Sequence, residues 1–367
     1  MGYSSYKRKE SYMLAKIKNW LKTDNHLLFT SITALILIGV LAMYCIGPYF
    51  DARIQHEAGF LFGKSIPFFV IGYLLMLGCS RLSKKWLLRI SWGLGIVGLM
   101  LMIKTIVSPI FIMGSARYVK IGTAMIDPFV ITLPAYIVLM SHWLSKEKTK
   151  QTWITIGTTL LTLFIALAAF MAPYVFIAQV YLLLFLIMGF KARKNMPWVF
   201  YTGMAIFTGL VLLMLLAVFH WPHIQHKIMN HGNYAVQLSV QAVKSSALVG
   251  STQESLALLP KMVNGIDDFV LSSLIAKFGY LMGLLVLALY GFVAKGLTNA
   301  IRNTKDQFAR MLATGTLGLF AFYILMALAV ALGVLATAAY WPFISFGGTL
   351  FLTWCILFGF VMAINNK

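Results

Sequence analysis

The sequence predicts an all-α polytopic membrane protein of about ten transmembrane helices. Both termini are expected in the cytoplasm, with one large extracytoplasmic loop between helices 7 and 8. Three observations carry that prediction. Of the 367 residues, 60% are hydrophobic and only 11% charged, where a soluble domain carries about a quarter charged residues. The apolar residues gather into runs long enough to span a bilayer. The 30 Lys and Arg against 10 Asp and Glu, net +20, collect in alternate connections, as membrane orientation requires. No basic stretch belongs to a soluble module, so nucleic acid is not an expected partner.

Residues 1–26 are polar and basic (Lys7, Arg8, Lys9, Lys16, Lys18 and Lys22) and read as a cytoplasmic tail. A single transmembrane domain is expected over 27–364. The first apolar run, Leu27–Gly47, reaches the roughly 20 residues a span needs, and with no cleavable signal pattern it should stay as an anchor. Phe60–Cys79 and Trp86–Ile106 follow. Pro128–Trp143 is short, and Pro109, Pro128 and Pro134 suggest broken or re-entrant backbone nearby. The remaining spans are Trp153–Met171, Pro173–Phe190, Trp198–Phe219, Phe269–Ala294, Phe308–Leu335 and Pro342–Ile364. Gly279 and Gly283 form a GxxxG in the eighth, a helix-packing pattern. Cys45, Cys79 and Cys355 lie in or beside apolar runs without metal or disulfide spacing, and read as packing residues.

The connections set the orientation. One side holds the N-terminal lysines, Arg81/Lys84/Lys85, Lys146/Lys148/Lys150, Lys191/Arg193/Lys194 and Lys295/Arg302/Lys305/Arg310. The other holds Arg53, Arg117/Lys120 and a sparse Lys227/Lys244/Lys261. The richer side is the cytoplasmic one, so the loop at 220–268 is extracytoplasmic. Tyr234, Val236, Leu238, Val240, Ala242, Val243, Leu256, Leu258 and Leu259 alternate there with polar residues. Short amphipathic or re-entrant helices on the membrane surface are expected, and structured loops longer than about 15 residues are usually functional.

Three stretches carry candidate chemistry. Asp267 and Asp268 stand just before an apolar run, a costly place for carboxylates. They could cap a helix start, although one would suffice and two repel. Alternatively, one could be a general base with its pKa raised by desolvation. The second stretch is Gly114 to Gly122. Arg117 and Lys120, with Tyr118 between, suit a pyrophosphate or carboxylate; an ordinary basic loop at lipid head groups is the plainer reading. The third is Trp341 to Thr349, where Ser345, Gly347 and Gly348 permit either close helix packing or an unwound segment lining a cavity.

Pro342-Phe343-Ile344-Ser345-Phe346-Gly347-Gly348-Thr349 resembles the C-terminal signature of the SEDS family (FtsW, RodA, SpoVE), the bacterial shape, elongation, division and sporulation proteins. Gly114 to Gly122 resembles that family's Gly-Ala-Arg-Arg-Trp stretch, keeping Arg117 and placing Tyr118 at the Trp. Leu259-Pro260 followed by Asp268-Phe269 is similar to its Leu-Pro…Thr-Asp-Phe, and Asn233-Tyr234 with Ser239 and Ala242 to an earlier loop stretch. The resemblance covers nearly the whole chain. Departures occur at Asp127-Pro128-Phe129-Val130 for Gln-Pro-Ser-Glu, at Ala172-Pro173-Tyr174 for Gln-Pro-Asp, at Ala276-Lys277 for a Glu pair, and at Ser245-Ser246-Ala247 for a double-Gly segment.

The resemblance implies a peptidoglycan glycosyltransferase of the bacterial inner membrane, polymerising lipid II (an undecaprenyl-pyrophosphate-linked substrate) for elongation, shape or division. It implies a class B penicillin-binding protein as partner, beside membrane lipids. Asp268 falls on the family's essential aspartate, a catalytic base or a residue linked to a divalent cation such as Mg; no metal site is assigned. Arg117, with Lys120, is the expected pyrophosphate ligand; Asp267, Ser345, Gly347 and Gly348 complete the expected substrate-binding set, and Asp127 could replace the missing Glu. Two other readings stand beside it: a catalytically degenerate scaffold for the penicillin-binding protein, and a flippase or transporter of a lipid-linked precursor. The last would need titratable residues deep inside several spans, and there are almost none.

Overall fold

The computed structural model describes residues 25–53, 56–110, 116–122, 124–145, 151–172, 174–192, 209, 233–262, 265–335 and 339–365. The expected cytoplasmic tail, the seventh span Trp198–Phe219 apart from Gly209, and loop residues 220–232 lie outside them. Among the described residues six helices are long and apolar enough to cross a bilayer: α1 (Asn25–Arg53), α2 (Phe60–Cys79), α3 (Lys84–Val107), α11 (Tyr280–Asn303), α12 (Gln307–Ala331) and α13 (Gly348–Asn365). Shorter helices between them are α4 (Pro128–Ile131), α5 (Leu133–Leu144), α6 (Gln151–Met171) and α7 (Val175–Lys191). The loop contributes α8 (Asn233–Lys244), α9 (Gln253–Leu258) and α10 (Val270–Phe278). One hairpin, β1 (Val119–Ile121) against β2 (Ala124–Ile126), completes the set, antiparallel with Lys120 opposite Met125. The chain is an all-α polytopic membrane protein.

Local chemistry explains the boundaries. The buried Asp51 carboxylate accepts from the Gly59 and Leu61 amides at 2.7 and 3.0 Å, satisfying free donors where α2 begins. Asp127 caps α4 by accepting from the Phe129 and Val130 amides at 3.1 and 3.2 Å, with Pro128 at the first helical position. The fourth span is broken at Thr132, between α4 and α5, in line with the proline content of that stretch. Gly98 of α3 lies directly against the Thr132 side chain, with no room for a Cβ.

Two expectations are corrected. The apolar run Phe269–Ala294 is not one helix. It breaks at Gly279 (φ 89°), so Val270–Phe278 belongs to the loop, where it packs on α8, and the span runs from Tyr280 to Asn303. A Cβ on Gly279 would meet the Leu248 and Ala247 carbonyl oxygens at 2.7 and 2.9 Å, so its role is a backbone break under the 247–249 strap rather than GxxxG packing. The tenth span likewise starts at Gly348, after an irregular turn at Trp341–Phe346, not at Pro342.

The core is built from ridges of aromatic and aliphatic side chains between α2, α12, α13 and α11. Trp354 and Phe358 of α13 meet Phe320 and Tyr323 of α12 edge-on, with ring centroids 5.4–5.9 Å apart. Helix ends sort into two sets. At one, Asn25 donates to the Met362 carbonyl at 3.2 Å and Lys84 pairs with Asp306 at 3.1 Å. At the other lie the hairpin, α8–α10 and the Trp341–Phe346 turn, whose contacts with one another are described next.

Candidate functional site

The Asp267–Asp268 pair is held by the backbone before any side chain contributes. Residues 265–269 form a tight turn ahead of α10. The Ser345 hydroxyl donates to the Asp267 carbonyl at 2.7 Å and accepts from the Trp341 amide at 2.8 Å, while the Phe346 amide donates to the Ile266 carbonyl at 3.0 Å. From below, the Ser273 hydroxyl donates to the Gly265 carbonyl at 2.8 Å. The Trp341–Phe346 turn is itself anchored: Tyr290 of α11 donates to the Pro342 carbonyl at 2.7 Å and stacks on Trp341. Phe343 adopts φ 68°, which a non-glycine residue reaches only against strain, and its ring is locked among Phe351, Trp354 and Phe358.

Neither aspartate caps α10; that position belongs to Phe269, with no side-chain cap. Asp268 is 5% exposed and Asp267 half-buried. Burial, and then the neighbouring Asp268 charge, push the Asp267 carboxyl well above the usual carboxylate range, with Arg117 pulling the other way.

Arg117 enters this cluster from the irregular segment just before β1, whose backbone is tied to the end of α6 by the Ala116 amide donating to the Ala172 carbonyl at 3.0 Å. Its guanidinium lies 4.8 Å from the Tyr118 ring centroid and 5.0 Å from that of Tyr174, and Nη2 donates to the Tyr340 hydroxyl at 3.3 Å. Arg117 and Asp127 interact electrostatically. Burial pushes the Asp127 carboxyl up to about 6 against the pull of Arg117, the Val130 and Phe129 amides and the Tyr174 hydroxyl. Burial and then the Asp268 charge raise the Tyr340 hydroxyl, with Arg117 pulling the other way, so Tyr340 interacts with both the guanidinium and the carboxylate pair. Nε of Arg117 and Oδ1 of Asp267 are buried and make no hydrogen bond among the described residues, the condition of groups a ligand would complete.

The sequence candidates thus divide. Arg117 interacts with Asp267, the neighbour of Asp268, and separately with Asp127. Ser345 holds the Asp267 carbonyl and is spent on that task. Gly348 opens α13 against the Phe68 ring, 2.5 Å from where its Cβ would stand; Gly347 meets nothing closer than 3.9 Å. Lys120 is exposed and lines a different cavity with Lys104. In extended chain, residues three apart point to opposite faces, so the Arg117–Lys120 spacing separates the two cations. Tyr340 and Tyr174 escaped sequence reading because nothing distinguishes them from other aromatic residues at membrane boundaries. Lys277, at one of the departures, donates to the Tyr49 hydroxyl at 2.9 Å and ties α10 to α1.

Comparison with known proteins follows the same lines. Residues 25–367 match the FtsW, RodA and SpoVE family of cell cycle proteins. The probable peptidoglycan glycosyltransferase FtsW of Trichlorobacter lovleyi is 21% identical over 354 residues, 92% of this chain and 92% of that protein. A chain from a peptidoglycan synthase complex that coordinates polymerization and crosslinking superposes with TM-score 0.73 at 19% identity, covering 94% of this chain and 98% of that one. The rod shape determining protein RodA of Thermus thermophilus gives TM-score 0.69 at 19% identity, over 95% and 98%.

Proposed function

The chain belongs to the FtsW, RodA and SpoVE family of cell cycle proteins, and from that premise we propose that it is a peptidoglycan glycosyltransferase polymerising lipid II at the outer face of a bacterial cytoplasmic membrane. The proposed topology has ten spans, both termini inside, and the α8–α10 loop outside. The supporting observation is the pinned turn that holds Asp267 and Asp268 within reach of the Arg117 charge, Asp268 and Arg117 being the two residues that fall on the family's motif positions.

In the proposed reaction a lipid II sugar 4-hydroxyl attacks the anomeric carbon of the growing chain. The new C–O bond forms as the bond to the undecaprenyl pyrophosphate breaks. Asp268 takes the hydroxyl proton, and Arg117, fixed between Tyr118 and Tyr174, stabilises charge on the departing pyrophosphate. A proton on Asp267 keeps two adjacent charges from facing each other. A divalent cation finds no ready cradle among the described residues, where no three His, Cys, Asp or Glu side chains gather. In the proposed step Asp268 takes the proton directly. A class B penicillin-binding protein is the proposed partner.

A second reading, a scaffold for that partner without catalysis, is favoured by Lys277, which stands where the family carries a carboxylate and is engaged with Tyr49. Glycan synthesis from lipid II by the purified protein, with and without the partner, separates the two. Polymer from the wild type that disappears in Asp268→Ala supports the enzyme. No polymer, with the partner still co-purifying, supports the scaffold.

A further inference from the structure

A second cationic feature lies apart from the Asp268 cluster. At the end of α3 that carries the hairpin, Lys104, Ser108, Pro109, Ile110, Val119 and Lys120 line a cavity of about 300 Å3. Both lysines are exposed, no carboxylate lines the cavity, and the one ion pair among the described residues is elsewhere, at Lys84 and Asp306. Two like charges facing one space repel unless an anion joins them. The surface beside them is apolar: Met100, Ile103 and Val107 on α3 are 64%, 49% and 74% exposed, and Met125, opposite Lys120 in the hairpin, is 50% exposed. A membrane helix whose last turns are outward-facing and apolar, ending in a two-lysine cavity with a serine, has the layout of a lipid site. The tail lies along the helix and the phosphate sits at the level of the ammonium groups.

We propose that Lys104 and Lys120 bind the phosphate group of a lipid, with Ser108 as an additional donor and the outer part of α3 as the surface for its chain. This site is independent of the proposed polymerase activity, because none of its lining residues belongs to the Asp268–Arg117 cluster. The phosphate could come from an anionic phospholipid or from a prenyl phosphate, which share this chemistry.

The test is lipid retention measured by native mass spectrometry on the full chain. The protein is released from membranes doped with phosphatidylglycerol, phosphatidylcholine or undecaprenyl phosphate. Each lysine near an anionic lipid is worth about fivefold in binding, so Lys104→Gln/Lys120→Gln is expected to retain the anionic lipid about thirtyfold less well. Retention of phosphatidylcholine should not change. A control, Lys295→Gln/Arg302→Gln at the opposite end, removes the same charge and should behave as wild type. Preferential loss of phosphatidylglycerol assigns the site to phospholipid, and preferential loss of undecaprenyl phosphate assigns it to a prenyl lipid. Unchanged retention in the double variant, or equal loss in the control, overturns the proposal. The substitutions are at exposed positions, and an unshifted melting temperature verifies that the variants fold.

Discussion

At the scale of single residues, the environment divides labour between carboxylates that the sequence presents as equals. Burial and the neighbouring charge raise the Asp267 carboxyl, and the proposed reaction gives the proton to Asp268, so Asp268→Asn should lower polymer synthesis by about 10²–10⁴-fold, the span of general-base contributions. Asp267→Asn should cost less than about tenfold in the same glycan-synthesis assay. Tyr340→Phe removes the acceptor for Arg117 and should reduce turnover about fivefold, matching the ~1 kcal/mol of one hydrogen bond. Asp127 gives a pH signature. Its folded value of about 6 lies above the ordinary 3.8, so the native state keeps this proton to higher pH than the unfolded chain. That contribution to stability is complete below about pH 4 and is lost as pH rises through about 6. Activity should run the other way: protonation removes the anion facing Arg117, so polymerisation should fall as pH drops through about 6, and Asp127→Asn should abolish that step in the profile. Asp268 and Arg117 were legible in the sequence because their stretches resemble the family's motifs, and the aspartate pair also because carboxylates are scarce in so apolar a chain, 10 in 367 residues. Tyr340 was not, since a hydroxyl's partner depends on a fold that brings residue 340 to residue 117.

At the scale of elements, hydropathy located the spans and missed their interruptions. Phe60–Cys79 begins and ends where the apolar run does. Phe269–Ala294 reads as equally continuous, yet the chain turns at Gly279, because hydropathy contains no φ. The decisive neighbours, Ala247 to Val249, come from the strap 30 residues upstream, where the Tyr280 and Leu281 amides donate to the Ala247 and Leu248 carbonyls at 3.0 and 3.1 Å. Gly279→Ala must therefore place a Cβ among backbone atoms while holding φ 89°. A loss of about 1–3 kcal/mol is expected for such a strained position, read as a lower melting temperature in detergent. The damage should be local to the break between α10 and α11, with faster hydrogen exchange at Tyr280 and Leu281 than at α12 amides. Equal exchange in both regions would mean that the strap is not coupled to the break. The Trp341–Phe346 turn was partly legible: its Gly pair, Ser and Pro pointed to an unwound stretch, but that Ser345 serves the Asp267 carbonyl required the two segments to be seen together.

At the scale of the molecule, the two ends of the bundle differ in what they contain. One end ties Asn25 to Met362 and Lys84 to Asp306, contacts between chain segments that the proposed topology assigns to the cytoplasmic side. The Lys84–Asp306 pair is half exposed and worth little in stability, ~0–1 kcal/mol, but it puts the starts of α3 and α12 on one side. The opposite end gathers every group assigned to chemistry, and the Ser245–Thr252 strap with it. Charge distribution and contact pattern agree on the sorting of the described helix ends, and they overlap at Lys84, which belongs to a basic connection and also makes the contact with Asp306. Labelling decides which end faces out. In a variant freed of Cys45, Cys79 and Cys355, a single cysteine at the exposed Ser251 should react in intact cells with a membrane-impermeant maleimide. One at the exposed Lys305 should react only after the membrane is opened. The reverse pattern would put Asp268 and Arg117 in the cytoplasm, away from the outer face where the proposed polymerisation takes place, and would remove the enzyme reading whatever the Asp268 variants show.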